Sequence, residues 1–365
     1  MQLRGRKYVA TAGGAVAVAL LAACSSSSSS TSTPAAGGST SAGSSSSASA
    51  SGTLNGAGSS FQNTFQEAAI SAFKSVDSGL TVNYQSVGSG TGRADLYANT
   101  VGFAGSDSPI PSTEQSKLNG KAVLYFPVLI GPITMSYNLQ GVTNLKLTPK
   151  VIADIFQAKV TKWNDPEITA INPGVNLPGT AITPAVRSDS SGTTQNFALF
   201  LQTAVPNDWT LGSKSTVKWP SSARAGAQNT GVAQIVKSTP GAIGYVDYAD
   251  AKASGLTFAT VQNKSGAYVA PSSAGSSASA AGVTVDPDLT FHAVWGTGAT
   301  AYPITYQSWV IVYKQQPNAN DVANLKAYIG YLVGDGQQLL GQLGYAPLPS
   351  NIDSMAKAQL SQITS

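Results

Sequence analysis

The stretch with the most chemical potential is Val186 to Phe197, VRSDSSGTTQNF, where Arg187 and Asp189 precede Ser191, Gly192 and Thr193. Arginine offers a planar fork of donors that matches two oxygens, and a carboxylate two residues on can hold that fork in place. Ser, Thr and Gly at the start of an apolar run suit a helix N-terminus. Such an end leaves backbone N–H groups free and attracts oxyanions through hydrogen bonds and the helix dipole. Taken alone, the segment reads first as a loop with a capped helix start, and an anion cradle is the sharper alternative.

Two glycine-rich turns share this placement. GAGSSF (56–61), with Ser60 and Phe61, and GSGTGR (88–93), with Ser89, each follow extended or coil sequence and open a helical pattern. Neither has the spacing of a dinucleotide fingerprint or the Gly-Lys-Ser/Thr of a phosphate loop. Three such helix starts converging on one cleft would surround a small tetrahedral anion without a metal. A fourth segment, NTVGFAGSDSP (99–109), places Asp107 at the end of an apolar extended run, as a turn cap or as an acceptor for a ligand proton. Beside a bound anion its charge would be repulsive by roughly 4 kcal/mol at an effective dielectric near 20, unless the anion itself donates a proton.

The elements needed to position these residues are alternating strands and helices. Leu80–Tyr84 and Ile182–Val186 alternate as strands, while Phe61, Phe65, Ala69, Ala72 and Phe73 recur at helical spacing, which together predict α/β layers. Gly131-Pro132, Pro173-Gly174, Pro178-Gly179 and Pro240-Gly241 are read as punctuation between elements. The Ser/Ala-rich stretch 265–282 reads as a surface excursion in which Pro271 could open a short helix.

Inventory excludes several chemistries. The single histidine, His292, lies in LTFHAVW and reads as a strand histidine, so a His-based triad or a His-rich metal site has almost nothing to be built from. No catalytic residue, metal or cofactor is therefore expected. The only cysteine, Cys24, closes LAAC behind a basic start (Arg4, Arg6, Lys7) and an apolar run of about fifteen residues, too short for a permanent span. Residues 1–24 thus read as a lipoprotein signal, with Cys24 as the lipidated residue and membrane anchor. Residues 25–52 are nearly all Ser, Ala, Gly and Thr and read as a disordered tether with a reach of about 30 Å. Setting aside the three leader cations takes the formal charge from +4 to +1, and no basic stretch argues for nucleic acid. The remaining body of about 310 residues is comfortable for two cores.

GAGSSF, NYQSVGSGTG, NTVGFAGSD, AVRSDSSGTT, STVKWP and PGAIGYVDYA, in this order, resemble the phosphate-binding lipoprotein component of ABC-type high-affinity phosphate importers. The resemblance covers nearly all of Thr53 to Pro349. It implies a type II periplasmic-binding-protein fold, α/β and two-lobed, with the ligand cleft between lobes. It further implies a lobe from 53–129 plus 303–365, another from 130–302, and hinge crossings near Val128–Pro132 and Tyr302–Thr305. Carried over by position, Ser60, Phe61, Ser89, Ser191, Gly192 and Thr193 donate to inorganic phosphate, Arg187 supplies the cation, Asp107 accepts the phosphate O–H and Asp189 orients Arg187. Gly102 departs from the aspartate many members carry there, and Ser60 stands where threonine is common. The implied partners are ABC permease subunits, and a monomer on the outer face of a Gram-positive membrane is expected. A site for another oxyanion, a phosphoryl-transfer enzyme using the same cradle, and a surface receptor retaining only the fold stay open at this point.

Overall fold

The computed structural model describes residues 49–365; the expected leader at 1–24, Cys24 and most of the tether at 25–52 lie outside the described residues. Ordered backbone begins ahead of the expected tether end. Ser51 donates its backbone N–H to Asn324 Oδ1 at 2.8 Å, and Asn324 Nδ2 donates to the Ser51 carbonyl at 3.0 Å. The last tether residue, Gly52, already belongs to the first strand.

Strands β1 (Gly52–Gly58), β2 (Leu80–Ser86) and β3 (Phe103–Ser106) are parallel, in the order β2-β1-β3, with helices Asn63–Phe73 and Ser89–Tyr97 in the connections. The long β4 (Val123–Tyr137) then leaves this group. A short β5 (Lys146–Leu147) is followed by β6 (Thr183–Arg187), β7 (Arg224–Gly226) and β8 (Ala242–Asp247). After β9 (Thr257–Phe258), β10 (Thr260–Gln262) and β11 (Tyr268–Val269), β12 (Thr305–Tyr313) returns to the first group. The main sheet runs β2-β1-β3-β12-β4-β8-β6-β7, with β9 beside β4, and β11-β10-β5 form a small second sheet. Both faces of the main sheet are covered. Phe103 and Val310 point to one core, while Ala104, Trp309 and Ile311 point to the other, as the alternation of side chains along a strand requires.

The expected helix and both strands are present, but the reading of Gly131-Pro132 as punctuation does not hold. Both residues lie inside β4, where the strand changes partner: Pro132 closes the pairing with β12 at Thr305, and Ile133 opens the pairing with β8 at Asp247. Proline is tolerated at this handover because a regular ladder is not continued through it. Gly131 is glycine for space, since a Cβ there would stand 2.8 Å from Phe61 Cζ and 2.9 Å from Tyr345 Cδ1. Pro127 falls at the register shift between Ser308 and Trp309 of β12, a bulge of the kind that re-aims a side chain.

Two further expectations are corrected. The 265–282 stretch is no mere surface excursion: helix Ser273–Ala280 starts two residues after Pro271, is capped by Ser272, and buries Gly275, Ser276, Ser279 and Ala280. Ser276 Oγ meets Thr305 Oγ1 at 3.2 Å and Ser273 Oγ donates to the Tyr345 carbonyl at 2.8 Å, so small residues here permit close packing against the crossing strands. His292 lies outside any strand with its side chain exposed, because the apolar neighbours Phe291 and Ala293 turn inward around it. Among the described residues, no helix is long and apolar enough to cross a membrane.

Candidate functional site

Parallel strands present their carboxyl ends, and the loops and helix starts beyond them, to one side of the sheet. Ser59–Phe61 follow β1, Ser89 follows β2, Asp107 follows β3, Ser188–Thr193 follow β6, and Gln228–Asn229 follow β7. All nine residues expected at the site on sequence grounds are thereby brought into one hydrogen-bonded cluster. Helices Asn63–Phe73, Ser89–Tyr97 and Gly192–Ala204 do start at the three expected turns.

Asp107 is 1% exposed and organises one side of the cluster. Its Oδ1 accepts the Ser59 hydroxyl at 2.5 Å and the Ser308 hydroxyl. Its Oδ2 accepts only Ser89 Oγ, at 3.4 Å, so this oxygen retains capacity for a further proton donor. Gly192 faces the same oxygen, and a Cβ on it would come within 2.8 Å of Oδ2 and 2.6 Å of the Asp107 Cβ. Burial pushes the Asp107 carboxyl up to about 6, against the three serine hydroxyls and the Arg187 charge, which pull it down.

Arg187 forms the other side. Its Nε donates to Asp189 Oδ1 at 2.8 Å, its Nη2 donates to Asp189 Oδ2, and its Nη1 donates to Thr193 Oγ1 at 3.4 Å. The Asp189 carboxyl is subject to burial, which raises it, but the Arg187 hydrogen bonds and charge prevail and hold it below the ordinary range. Both Asp189 oxygens thus meet the guanidinium, and Oδ1 also accepts the Gln228 backbone N–H at 3.0 Å. The charges of Arg187 and Asp189 cancel, so the cluster has no excess cation. An anion here must be held chiefly by hydrogen bonds and helix ends.

Ser191 caps its helix, accepting from Thr194 N at 3.1 Å, while its own N–H is committed to the Ser215 carbonyl at 2.9 Å. Only its hydroxyl hydrogen remains to donate. The Phe61 N–H points to Ser59 Oγ at 3.1 Å, which links it to Asp107. The Phe61 ring is fully buried, stacked on Tyr306 at 4.0 Å and edge-on to Tyr345 at 5.3 Å, which fixes the backbone of this turn. Arg187 and Thr193, at 5% and 0% exposure, are likewise shut from solvent. Gly90 N donates across the cleft to the Ser190 carbonyl at 3.0 Å, so the two sides are closed on each other. Two clefts of about 1070 and 510 Å³ lie elsewhere and touch none of these groups.

Sequence reasoning missed Ser59, Ser308, Asn229 and Tyr306. Ser59 lay in a quoted motif beside Ser60, but nothing in the sequence distinguishes which serine faces Asp107. Ser308 and Tyr306 belong to β12, about two hundred residues from Asp107, and local pattern gives no sign of that pairing. Asn229 donates to Ser60 Oγ from Nδ2 at 3.1 Å and from its backbone N–H at 3.3 Å, and to Thr193 Oγ1 at 3.3 Å. The available signal was a helix start at Gln228 without a serine, threonine or aspartate cap, which its neighbours in space supply instead.

A family profile described as a PBP superfamily domain matches residues 43–335. The phosphate-binding protein PstS of Haemophilus influenzae is 35% identical over 323 residues, covering 84% of this chain and 92% of its own. The phosphate-binding protein PstS 3 of Mycobacterium tuberculosis is 32% identical over 325 residues, covering 85% and 86% respectively. Among solved structures, the high-affinity periplasmic phosphate-binding protein PfluDING, bound with phosphate, aligns at a TM-score of 0.71 over 84% of this chain and 94% of its own. At 21% identity that likeness speaks for the fold, which is the α/β two-lobed binding-protein fold expected from the sequence. The chain belongs to the PBP superfamily and, within it, to the family of PstS phosphate-binding proteins.

Proposed function

We propose that this protein captures inorganic phosphate outside the cytoplasm and delivers it to an ABC phosphate importer, acting as a binding protein and not as an enzyme. The observation that carries the reading is that one hydrogen-bonded cluster holds both a cation, Arg187, and an acceptor with spare capacity, Asp107 Oδ2. Ser60, Phe61, Ser89, Ser191, Gly192 and Thr193 are the donors in this reading. The Ser191 contribution is its hydroxyl alone, since its N–H already has a partner. Phe61 and Ser89 turn their donors from Ser59 and Asp107 toward the anion when it enters.

Asp107 accepts a proton from the ligand, which selects hydrogen phosphate over fully ionised sulfate. Sites that need a ligand O–H reject analogues lacking it by roughly 10⁴-fold. No resident cofactor or metal takes part. The lobes are 53–129 with 303–365, and 130–302, a division supported by the partner change of β4 at Pro132 and Ile133. Closure about β4 and β12 links ligand to shape, because donors from both lobes meet only when the cleft is shut. Cys24 carries the lipid anchor, the chain is a monomer, and it sits on the outer face of a Gram-positive membrane.

Equilibrium dialysis of the purified protein with radiolabelled phosphate tests the reading, with saturation at one phosphate per chain as the expected result. X-ray scattering adds the closure test: phosphate should compact the particle, and identical curves with and without it would contradict coupled closure.

A further inference from the structure

Hydroxyl groups are ambiguous in a binding site. Each carries one hydrogen and two acceptor lone pairs, so an anion is served only when the hydroxyl is forced to donate. The surroundings of Ser60 and Thr193 remove that ambiguity. Ser60 Oγ accepts from both the backbone N–H and Nδ2 of Asn229, at 3.3 and 3.1 Å. Thr193 Oγ1 accepts from Asn229 Nδ2 at 3.3 Å and from Arg187 Nη1 at 3.4 Å. With their lone pairs occupied, both hydroxyls can act only as donors. The contact between Thr193 Oγ1 and Tyr306 Oη at 3.3 Å then has threonine as donor, a bond that a ligand oxygen can replace.

Asn229 is built for this task. It is fully buried at the second position of helix Gln228–Ser238, and the Gln228 before it adopts a left-handed φ of 61°. Its Oδ1 is buried without a hydrogen-bond partner, so the side-chain amide's hydrogen bonds are the two that Nδ2 gives to these hydroxyls. Ser60 and Asn229 come from opposite sides of the cleft, so the serine becomes an obligate donor only on closure.

We propose that Asn229 is a positioning residue of the cradle, which fixes the Ser60 and Thr193 hydroxyls as donors and ties that polarity to closure. The inference rests on the phosphate-binding reading of those two hydroxyls. Calorimetric titration of the full chain with phosphate, applied as a double-mutant cycle, tests it. Ser60→Ala and Thr193→Ala should each weaken binding by about five- to tenfold, and Asn229→Ala by about tenfold. In the Ser60→Ala/Thr193→Ala background, Asn229→Ala should cost less than about twofold more, because a residue acting through two hydroxyls has nothing left to position. Asn229→Leu, close in volume, should repeat this pattern and guards against a cavity effect. Full additivity of Asn229→Leu with the hydroxyl deletions would overturn the proposal. If Ser60→Ala and Thr193→Ala both bind phosphate as tightly as the parent, the cradle assignment itself falls, a different failure from additivity.

Discussion

Replacing Asp107 by asparagine should convert a phosphate-selective site into one that also accepts sulfate. Near pH 8 hydrogen phosphate and sulfate are both dianions of similar size, so Arg187 and the helix ends attract them alike. They differ at the oxygen that meets Asp107 Oδ2. Hydrogen phosphate donates a charge-assisted hydrogen bond there, worth roughly 1.5–3 kcal/mol. Sulfate brings an oxygen without hydrogen against a buried carboxylate that no solvent screens, and the unpaired charge costs roughly another 2–3 kcal/mol. The sum, about 4–6 kcal/mol, corresponds to discrimination of about 10³- to 10⁴-fold. In Asp107→Asn, the Ser59 and Ser308 hydroxyls continue to donate to Oδ1 and thereby direct the amide nitrogen to the ligand side. Ser89 Oγ, now beside that nitrogen, can accept as readily as it donated. The amide then donates to an oxygen of either anion. Calorimetry at pH 8 should show sulfate affinity rising by about 10³-fold or more, with phosphate affinity within about tenfold of the parent. A folded Asp107→Asn protein that rejects sulfate as strongly as the parent would refute the role assigned to this carboxyl.

Other consequences can be checked on the same preparations. Since burial in the closed cradle pushes the Asp107 carboxyl up to about 6, sulfate should compete measurably at pH 5, where the protonated acid can donate to it, and not at pH 8. The same shift has a sign for stability: a carboxyl raised above its unfolded value of 3.8 stabilises the fold at low pH and loses that contribution as pH rises through about 6. Chemical denaturation without ligand should show Asp107→Asn gaining up to about 3 kcal/mol on the parent between pH 4 and 8. Gly192→Ala places a methyl 2.6 Å from the Asp107 Cβ and 2.7 Å from Ser89 Oγ, so phosphate affinity should fall at least about 100-fold while the fold loses only about 1–3 kcal/mol.

What could be read from the sequence follows from the range of the forces involved. Arg187, Asp189 and Ser191 to Thr193 act within one turn of each other, so their types and spacing already carried the local geometry of guanidinium, orienting carboxylate and helix cap. The helix starts beyond GAGSS and within GSGTG were legible for the same reason. Asp107 was visible as a carboxylate ending an apolar run, open to a turn-cap or a ligand-acceptor role, but its three serine donors come from three separate segments, and only the resemblance to a family chose between the two. Gly131-Pro132 misled because the pair normally ends an element. Here glycine clears room for Phe61 and proline marks a change of strand partner, both long-range facts. The 265–282 stretch misled because its small polar residues look like linker when isolated. They are small because β4 and β12 pass close beneath them. Asn229 was hidden by both effects: its partners lie about 36 and 169 residues away, and its helix lacks the usual capping side chain.

A closed cradle for an anion that still carries a proton must separate phosphate from sulfate. Isothermal titration of the purified protein at pH 8 with phosphate and then sulfate tests it most directly. One-site saturation by phosphate is expected, with no measurable heat from sulfate over the same concentration range. Equal binding of the two anions, or no phosphate binding by folded protein, would contradict it.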